Sequence, residues 1–322
     1  MGTVNDVIYL DYSTLSTFNT CREKARLSYV EHLSPIAEVP PLAFGSAFHE
    51  GIAEFYRHLP FVSRPDALQH GKLGFVNELK KRDSHLPLAL ESEERRSIER
   101  GIALLEAYVE RWKGEIYEAV LRPDTNEPYV EIGFSIYLMD WHGVPVIYVG
   151  RLDSIRRNRV DGQLYNFELK TTTRGLSQFI KQVRPNHQIT GYHLAVRELL
   201  KQKVVGTVWD AVFVSDRKPD VKGDQWKQSG IDIEKDFARQ ETRRSDVDID
   251  EFLFDITSMA TEFLRLRDDK LKRWIRSAPT ACHMYGGCQF RDLCSTNLNE
   301  AFKKSKFKIE IWKPWELPGV TK

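Results

Sequence analysis

Residues 144–170 read VPVIYVGRLDSIRRNRVDGQLYNFELK, and their pattern decides the fold. Val144 to Ile155 and Gln163 to Lys170 both have the alternating, β-branched and aromatic character of strands. Between them Asp161-Gly162 is a strong hairpin-turn dipeptide. If that pair is a two-residue turn, Asp153 lies opposite Lys170 and diagonal to Glu168. Side chains alternate across a strand, so Glu168 and Lys170 share a face, while Tyr165, Phe167 and Leu169 point the other way into a core. Two carboxylates and an ammonium therefore converge on one patch.

Such a patch suits phosphodiester hydrolysis. Hard divalent cations take oxygen ligands, and Mg²⁺ commonly accepts one or two carboxylates while keeping waters and phosphate oxygens in its shell. A metal held by Asp153 and Glu168 lowers the pKa of a bound water and polarises a phosphodiester, while Lys170 orients the nucleophile and offsets developing charge. The bland alternative is a solvated strand face, since Glu-x-Lys arises by chance about once or twice in a chain this charged. Glu78-Leu79-Lys80 is such a case, an ordinary charge pair on a helix surface beside Phe75 and Val76. The hairpin context is what separates Glu168 and Lys170 from it.

Outward from the hairpin, Ile132, Phe134, Ile136 and Leu138 alternate with polar or small residues and start the sheet. Glu131 begins that strand; it could add an outer contact to the metal, although glutamates at the start of a strand are ordinarily just solvated. After Pro185 a helix carries Ile189, Tyr192, Val196 and Leu199 on one face, and Val204 to Val214 is a further β run. On the N-terminal side, Leu15, Phe18, Cys21, Ala25 and Tyr29 recur at helical spacing from Ser13 to about Val30, so Cys21 points inward. Pro40-Pro41 interrupts, Gly45-Ser46-Ala47-Phe48-His49 opens a second helix with Ser46 as cap, and residues 50–120 stay helix-like with breaks near Pro60, Pro65 and Pro87. Residues 216–235 read as a polar loop or hairpin, and Ile249 to Trp274 as one long amphipathic helix.

The expected fold class is α/β: a small mixed central sheet with flanking helices, a helical insertion and terminal segments joined by cysteines. The expected organisation is one domain, with an N-terminal segment over 1–45, a helical region over 46–125, the core over 126–215 and a C-terminal helix and cysteine cluster over 216–322.

With 322 residues, 41% hydrophobic and 29% charged, the composition is that of an ordinary globular protein rather than a disordered one. No apolar run approaches the roughly 20 residues of a membrane span, and Met1 to Asp6 lacks a signal pattern, so the expectation is a cytoplasmic protein without a membrane partner. Lys plus Arg is 47 against 46 for Asp plus Glu, so total charge does not advertise nucleic-acid binding. Locally, Arg151, Arg156, Arg157, Arg159, Lys170, Arg174, Lys181 and Arg184 gather near the acidic patch, either as a phosphate-tracking groove or as a solvated basic surface. The tail carries Lys303, Lys304, Lys306, Trp312 and Trp315, which suit a surface-packing strand better than a partner-docking segment.

Cys282, Cys288 and Cys294 follow Cys-x5-Cys-x5-Cys, and Cys21 supplies a fourth thiol from near the N-terminus. That distribution points to metal rather than disulfides. Four thiolates suit a [4Fe-4S] cluster or tetrahedral zinc, and sulfur count does not choose between them. Clustering beside Gly286-Gly287 and Pro279 argues against burial of each cysteine as an isolated small hydrophobe. By analogy with disulfides, a cross-link closing so long a loop would remove unfolded-state entropy worth roughly 5 kcal/mol.

Four ordered motifs resemble the PD-(D/E)XK nucleases, and within them the RecB-like branch that includes the CRISPR-adaptation nucleases and AddB-type helicase-nuclease subunits. Gly45 to His49 resembles that branch's Gly-x-x-x-His, Gly150-Arg151-Leu152-Asp153 its Gly-x-x-Asp, Glu168-Leu169-Lys170 its Glu-x-Lys, and Gln188 to Tyr192 its Gln-x-x-x-Tyr. The resemblance implies a restriction-endonuclease-like core and Mg²⁺ or Mn²⁺ held by His49, Asp153, Glu168 and the Leu169 carbonyl. It further implies Lys170 as catalytic lysine and DNA contacts from Gln188 and Tyr192. Taken alone, His49 reads as a structural helix histidine and Tyr192 as a core residue. Gln188 and Tyr192 are four apart on a helix and share a face, and Arg174, just past the catalytic strand, is a further DNA contact.

Members of the branch with an iron-sulfur staple place one cysteine before Gly-x-x-x-His and three after the core, as here. Their C-terminal spacing is Cys-x2-Cys-x5-Cys, from which this chain departs in its first gap; the distribution favours iron-sulfur over zinc. The expected activity is metal-dependent cleavage of DNA, as an exonuclease on single-stranded ends, in recombination, repair or CRISPR-type processing with a protein partner. The rival expectations are a noncatalytic DNA-binding or assembly subunit of such a complex, and a zinc-stapled nuclease acting on RNA.

Overall fold

The computed structural model describes residues 3–4, 7–36, 40–82, 96–269, 273–284, 287–313 and 316–317. Pro87, Gly286 and Trp315 lie outside them. In chain order, two strands, β1 (Thr3–Val4) and β2 (Val7–Asp11), precede α1 (Tyr12–Thr20), whose first turn is capped by Asp11. The single N-terminal helix expected to Val30 is broken at Cys21, where the backbone is extended. It resumes as α2 (Arg22–Ala25) and a π-helical segment over Arg26–Val30. After β3 (Leu33–Pro35), α3 runs unbroken over Pro40–His58. Ser46 is thus interior to the helix, and the prolines expected to interrupt it stand instead in its first turn, where a missing N–H costs nothing.

Helices α4 (Arg64–Lys81) and α5 (Ile98–Arg111) follow, capped by Ser63 and Ser97. Then come β4 (Tyr117–Ala119), β5 (Val130–Trp141), β6 (Val144–Asn158), β7 (Leu164–Thr172), α6 (Leu176–Ile180), α7 (His187–Leu200), β8 (Val204–Phe213) and β9 (Phe237–Thr242). Residues 216–235 are loop with one 3₁₀ turn, whereas β9 was not expected from the sequence. Helix α8 (Asp246–Asp268) starts three residues earlier than expected, where Ser245 and Asp248 form a capping box, and stops six earlier. The short helices α9 (Thr280–His283), α10 (Arg291–Ser295) and α11 (Glu300–Lys306) precede β10 (Phe307–Ile309). No helix among the described residues is long and apolar enough to cross a membrane.

The chain forms two compact units. One comprises Met1–Ala37, Gly133–Arg151 and Ser245–Lys322. There β1 pairs antiparallel with β2, β2 pairs parallel with β6 from Ile8↔Val146 to Asp11↔Val149, and β10 pairs antiparallel with β3. The tail is only in part the packing strand anticipated: β10 covers Phe307–Ile309, while Lys303, Lys304 and Lys306 lie in α11. Leu27, Leu33, Phe290, Leu293 and Phe307 form a core cluster against which Cys288 and Cys294 pack.

The other unit comprises Glu38–Ile132 and Leu152–Arg244. Its strands are mixed: β6 is antiparallel to β4 and β7, β7 parallel to β8, and β8 antiparallel to β9. Helices α3, α4 and α5 contribute Phe44, Phe48, Phe55, Phe75 and Leu105 to a core that also takes in Leu169 and Val212 from the sheet. Burying side chains of that size contributes about 1.5–3 kcal/mol each, which fixes α3 and the sheet in one register.

The β6–β7 register differs from the expected one by two residues. Ser154 pairs with Phe167 and Arg157 with Leu164, so continuing the ladder sets Asp153 opposite Glu168 rather than Lys170. The turn is longer than Asp161-Gly162: the Asn158 side chain accepts from Val160 N–H, Asp161 from Gln163 N–H, and Gly162 adopts φ +71°. A shift of two preserves the face, so the convergence of Asp153, Glu168 and Lys170 stands.

Candidate active site

Helix α3 delivers His49 to the sheet because it comes very close to β7. A Cβ added at Gly45, one turn before His49, would meet Thr171 Oγ1 at 3.2 Å. This is the physical content of Gly-x-x-x-His here: the glycine lets the helix approach the strand that carries Lys170. His49 Nδ1 then lies 3.7 Å from Asp153 Oδ2. The same Asp153 oxygen accepts from Leu169 N–H at 2.7 Å, and Lys170 Nζ donates to Glu168 Oε1 at 2.5 Å. Lys170 Nζ also stands 5.8 Å from the centroid of the Trp209 ring, within cation–π range.

Electrostatics divide the two acids. Burial opposes ionisation of Asp153, but His49, Lys170 and the Leu169 N–H outweigh it and hold the carboxyl below its ordinary value. Glu168 is 1% exposed. Burial, then the Asp153 charge, push it up to about 8 against the pull of Lys170, with Glu131 adding to the rise. Glu168 Oε2 is buried with no hydrogen-bond partner among the described residues. A buried carboxylate oxygen without a donor, in a field already too negative, is a place where a cation is stabilising.

Glu131, which the sequence offered as an outer metal contact or a solvated strand-entry residue, stands in the site itself. One ligand atom each from His49, Glu131 and Asp153 fall within 4.8 Å of one another, the one such metal-competent group among the described residues. A cavity of about 20 Å³, room for a single water, is lined by these three with Tyr56, Arg156 and Asp210 among others.

Arg156 is neither groove lining nor solvated surface. It is 3% exposed, lies 3.5 Å from the Tyr56 ring centroid and 4.0 Å from that of Phe167, and pairs with Glu115 at 3.3 Å. Arg239 joins Glu115 at 2.7 Å and Asp210 at 2.9 Å, and Tyr108 O–H donates to Asp210 at 2.5 Å. Arg151 and Arg174 are exposed. Gln188 is partly exposed and its Nε2 donates to Tyr192 O–H at 3.2 Å, while Tyr192 itself is 9% exposed.

The four cysteines all lie in the other unit. Cys21 sits at the break between α1 and α2, its N–H donating to Thr17 O at 2.8 Å. Cys288 N–H donates to Cys282 O at 2.9 Å, closing a loop. Burial raises the Cys294 thiol, with Arg276 opposing and Glu23, Cys288 and Cys21 adding to the rise. Those mutual charge effects make Cys21, Cys288 and Cys294 neighbours, yet no three of the four sulfurs approach within 4.8 Å of one another.

The sequence matches the PD-(D/E)XK nuclease superfamily over residues 10–295, and the chain belongs to that superfamily. Among solved structures it is similar to the crystal structure of a candidate exonuclease from Eubacterium rectale. The two are 11% identical, the match covers 92% of this chain and 94% of that one, and the TM-score is 0.45. No curated protein sequence matches.

Proposed function

We propose that the protein is a Mg²⁺- or Mn²⁺-dependent deoxyribonuclease, acting as an exonuclease on single-stranded DNA ends in recombination, repair or CRISPR-type processing inside the cell. The observation that carries the reading is the convergence of His49, Asp153, the Leu169 backbone, Glu168 and Lys170, from one helix and two strands, around a buried carboxylate oxygen that lacks a donor.

In this reading His49, Asp153, Glu168 and the Leu169 carbonyl hold the cation, and Asp153, Glu168 and Lys170 are the catalytic residues. When bound, the cation acidifies water and polarises the phosphodiester. Lys170 orients the attacking water and neutralises charge on the phosphate as it develops. Its approach is fixed by Glu168 on one side and the Trp209 ring on the other. Arg174 contacts the DNA backbone, and Gln188 contacts the strand with Tyr192 behind it, the tyrosine oxygen accepting from the amide.

The chain works as one nuclease domain, with Cys21, Cys282, Cys288 and Cys294 binding a structural [4Fe-4S] cluster. A single zinc with Zn–S near 2.3 Å would draw its thiolates to roughly 3.8 Å of one another. The corners of a cubane stand further apart, and elemental analysis for iron and zinc separates the two.

The test is end-labelled linear single-stranded, duplex and circular DNA with anaerobically purified protein in Mg²⁺, Mn²⁺ or chelator, beside Lys170→Ala. Cleavage of linear but not circular single strands, abolished by chelator and by the variant, is expected. DNA binding without cleavage in either metal would replace this reading with a noncatalytic assembly subunit. Preference for RNA, with zinc found by elemental analysis, would replace it with a zinc-stapled ribonuclease.

A further inference from the structure

Glu131 belongs to none of the four motifs, yet it is the carboxylate that stands with His49 and Asp153. Each offers a ligand atom within 4.8 Å of the other two. Glu168 is not in that group; its Oε1 instead accepts from Lys170 at 2.5 Å. The position of Glu131 is built by the backbone rather than by chance rotamer. Val130 N–H donates to Pro128 O at 2.8 Å, closing a tight turn just before β5. Glu131 follows it with φ +55°, in the left-handed region. A residue other than glycine held there costs about 1–3 kcal/mol, and such strain persists where the surroundings demand it. On either side Val130 and Ile132 are buried at 5% and 6%, which anchors the kink, and Glu131 Oε2 is shielded from solvent.

We propose that Glu131 is a further ligand of the divalent cation, standing with His49 and Asp153 and adding a carboxylate to the set that includes Glu168. One imidazole nitrogen with two carboxylates also favours a transition ion over Mg²⁺, since imidazole is a poor ligand for hard cations. The inference rests on the metal-dependent reading above and specifies which side chains carry it.

The test is a Mn²⁺ titration of the full-length, chelator-treated protein, read by calorimetry and by the electron-spin signal of unbound Mn²⁺, with no DNA present. Glu131→Gln is expected to weaken binding by about tenfold or more, and the exposed control Lys113→Ala by less than about threefold. Glu131→Asp should recover part of the loss. His49→Gln, a second deletion from the same trio, should match Glu131→Gln and keeps the test open if that variant does not fold. Weakening by Glu168→Gln with Glu131→Gln unaffected overturns the inference while leaving the nuclease reading intact. Failure of the unaltered protein to bind Mn²⁺ at all overturns the metal-dependent reading itself.

Discussion

Glu168 should make the metal-free protein less stable as the pH rises through neutrality. Its carboxyl is raised from 4.5 to about 8 in the folded chain, first by burial and then by the Asp153 charge. Below pH 4.5 it is protonated in both states and contributes its full share. Between 4.5 and about 8 the unfolded chain has released the proton while the folded chain still holds it, so stability falls with pH. At about 1.4 kcal/mol per pKa unit the whole span is worth about 5 kcal/mol at most. Asp153, depressed below 3.8, acts in a separate and lower window with the opposite sign: it stabilises above its unfolded value and loses that contribution as pH falls through its folded one.

The assay is urea unfolding in chelator at intervals from pH 5 to 9, for the unaltered protein and for Glu168→Gln. Subtracting the two curves isolates Glu168, with the Asp153 and Lys170 groups coupled to it, from titrations elsewhere in the chain. The difference should decline by several kcal/mol across the window and flatten above it. Mn²⁺ should then stabilise the unaltered protein more at pH 8 than at pH 5, because a cation favours the ionised site. Two curves that stay parallel to within about 0.5 kcal/mol, the usual limit of additivity, would refute the electrostatic argument.

Three further outcomes follow from other parts of the structure. Arg239→Met leaves Asp210 and Glu115 buried without a shared cation and should cost about 3–5 kcal/mol in urea unfolding, whereas Lys113→Ala, which breaks an exposed pair with Glu110, should change stability by less than about 1 kcal/mol. Gly45→Val places branched carbon where Thr171 Oγ1 already stands 3.2 Å from a Cβ; overpacking should cost about 1–3 kcal/mol and, by moving His49, weaken Mn²⁺ binding in calorimetry. Ser245→Ala removes the capping box of α8 and should cost about 1 kcal/mol by thermal unfolding, with Mn²⁺ affinity unchanged.

Much of this was legible because it depends only on period and parity. The strands around the hairpin, α7 with Ile189 and Val196 buried, and the inward side of Cys21 all follow from spacing. Strand β9 was hidden because its inward row includes Arg239, whose charge is satisfied by Asp210 and Glu115 and by nothing in its own segment. An arginine at a core position breaks the apolar alternation by which strands are recognised. Arg156 misled in the same way: two aromatic rings and a glutamate from elsewhere in the fold accept it, so its charge looked like surface. Glu131 was half legible: its place at the start of a strand suggested an outer metal contact, while the left-handed backbone it adopts beside His49 and Asp153 is announced by no residue type there.

The hairpin error shows what a sequence argument of this kind can and cannot carry. Asp161-Gly162 was read as the whole turn, but the Asn158 and Asp161 side chains bind backbone N–H groups on either side and lengthen it. The resulting shift of two residues changed every cross-strand partner and left every side chain on its expected face. A shift of one would have turned Asp153 to the face of Phe167 and Tyr165, among the rings against which Arg156 packs and away from Glu168 and Lys170. The acidic face is therefore under two constraints at once: Tyr165, Phe167 and Leu169 need the core, and Asp153, Glu168 and Lys170 need one another. Only registers of the right parity satisfy both, which is why the site survives a mistaken turn while the pairing inside it does not.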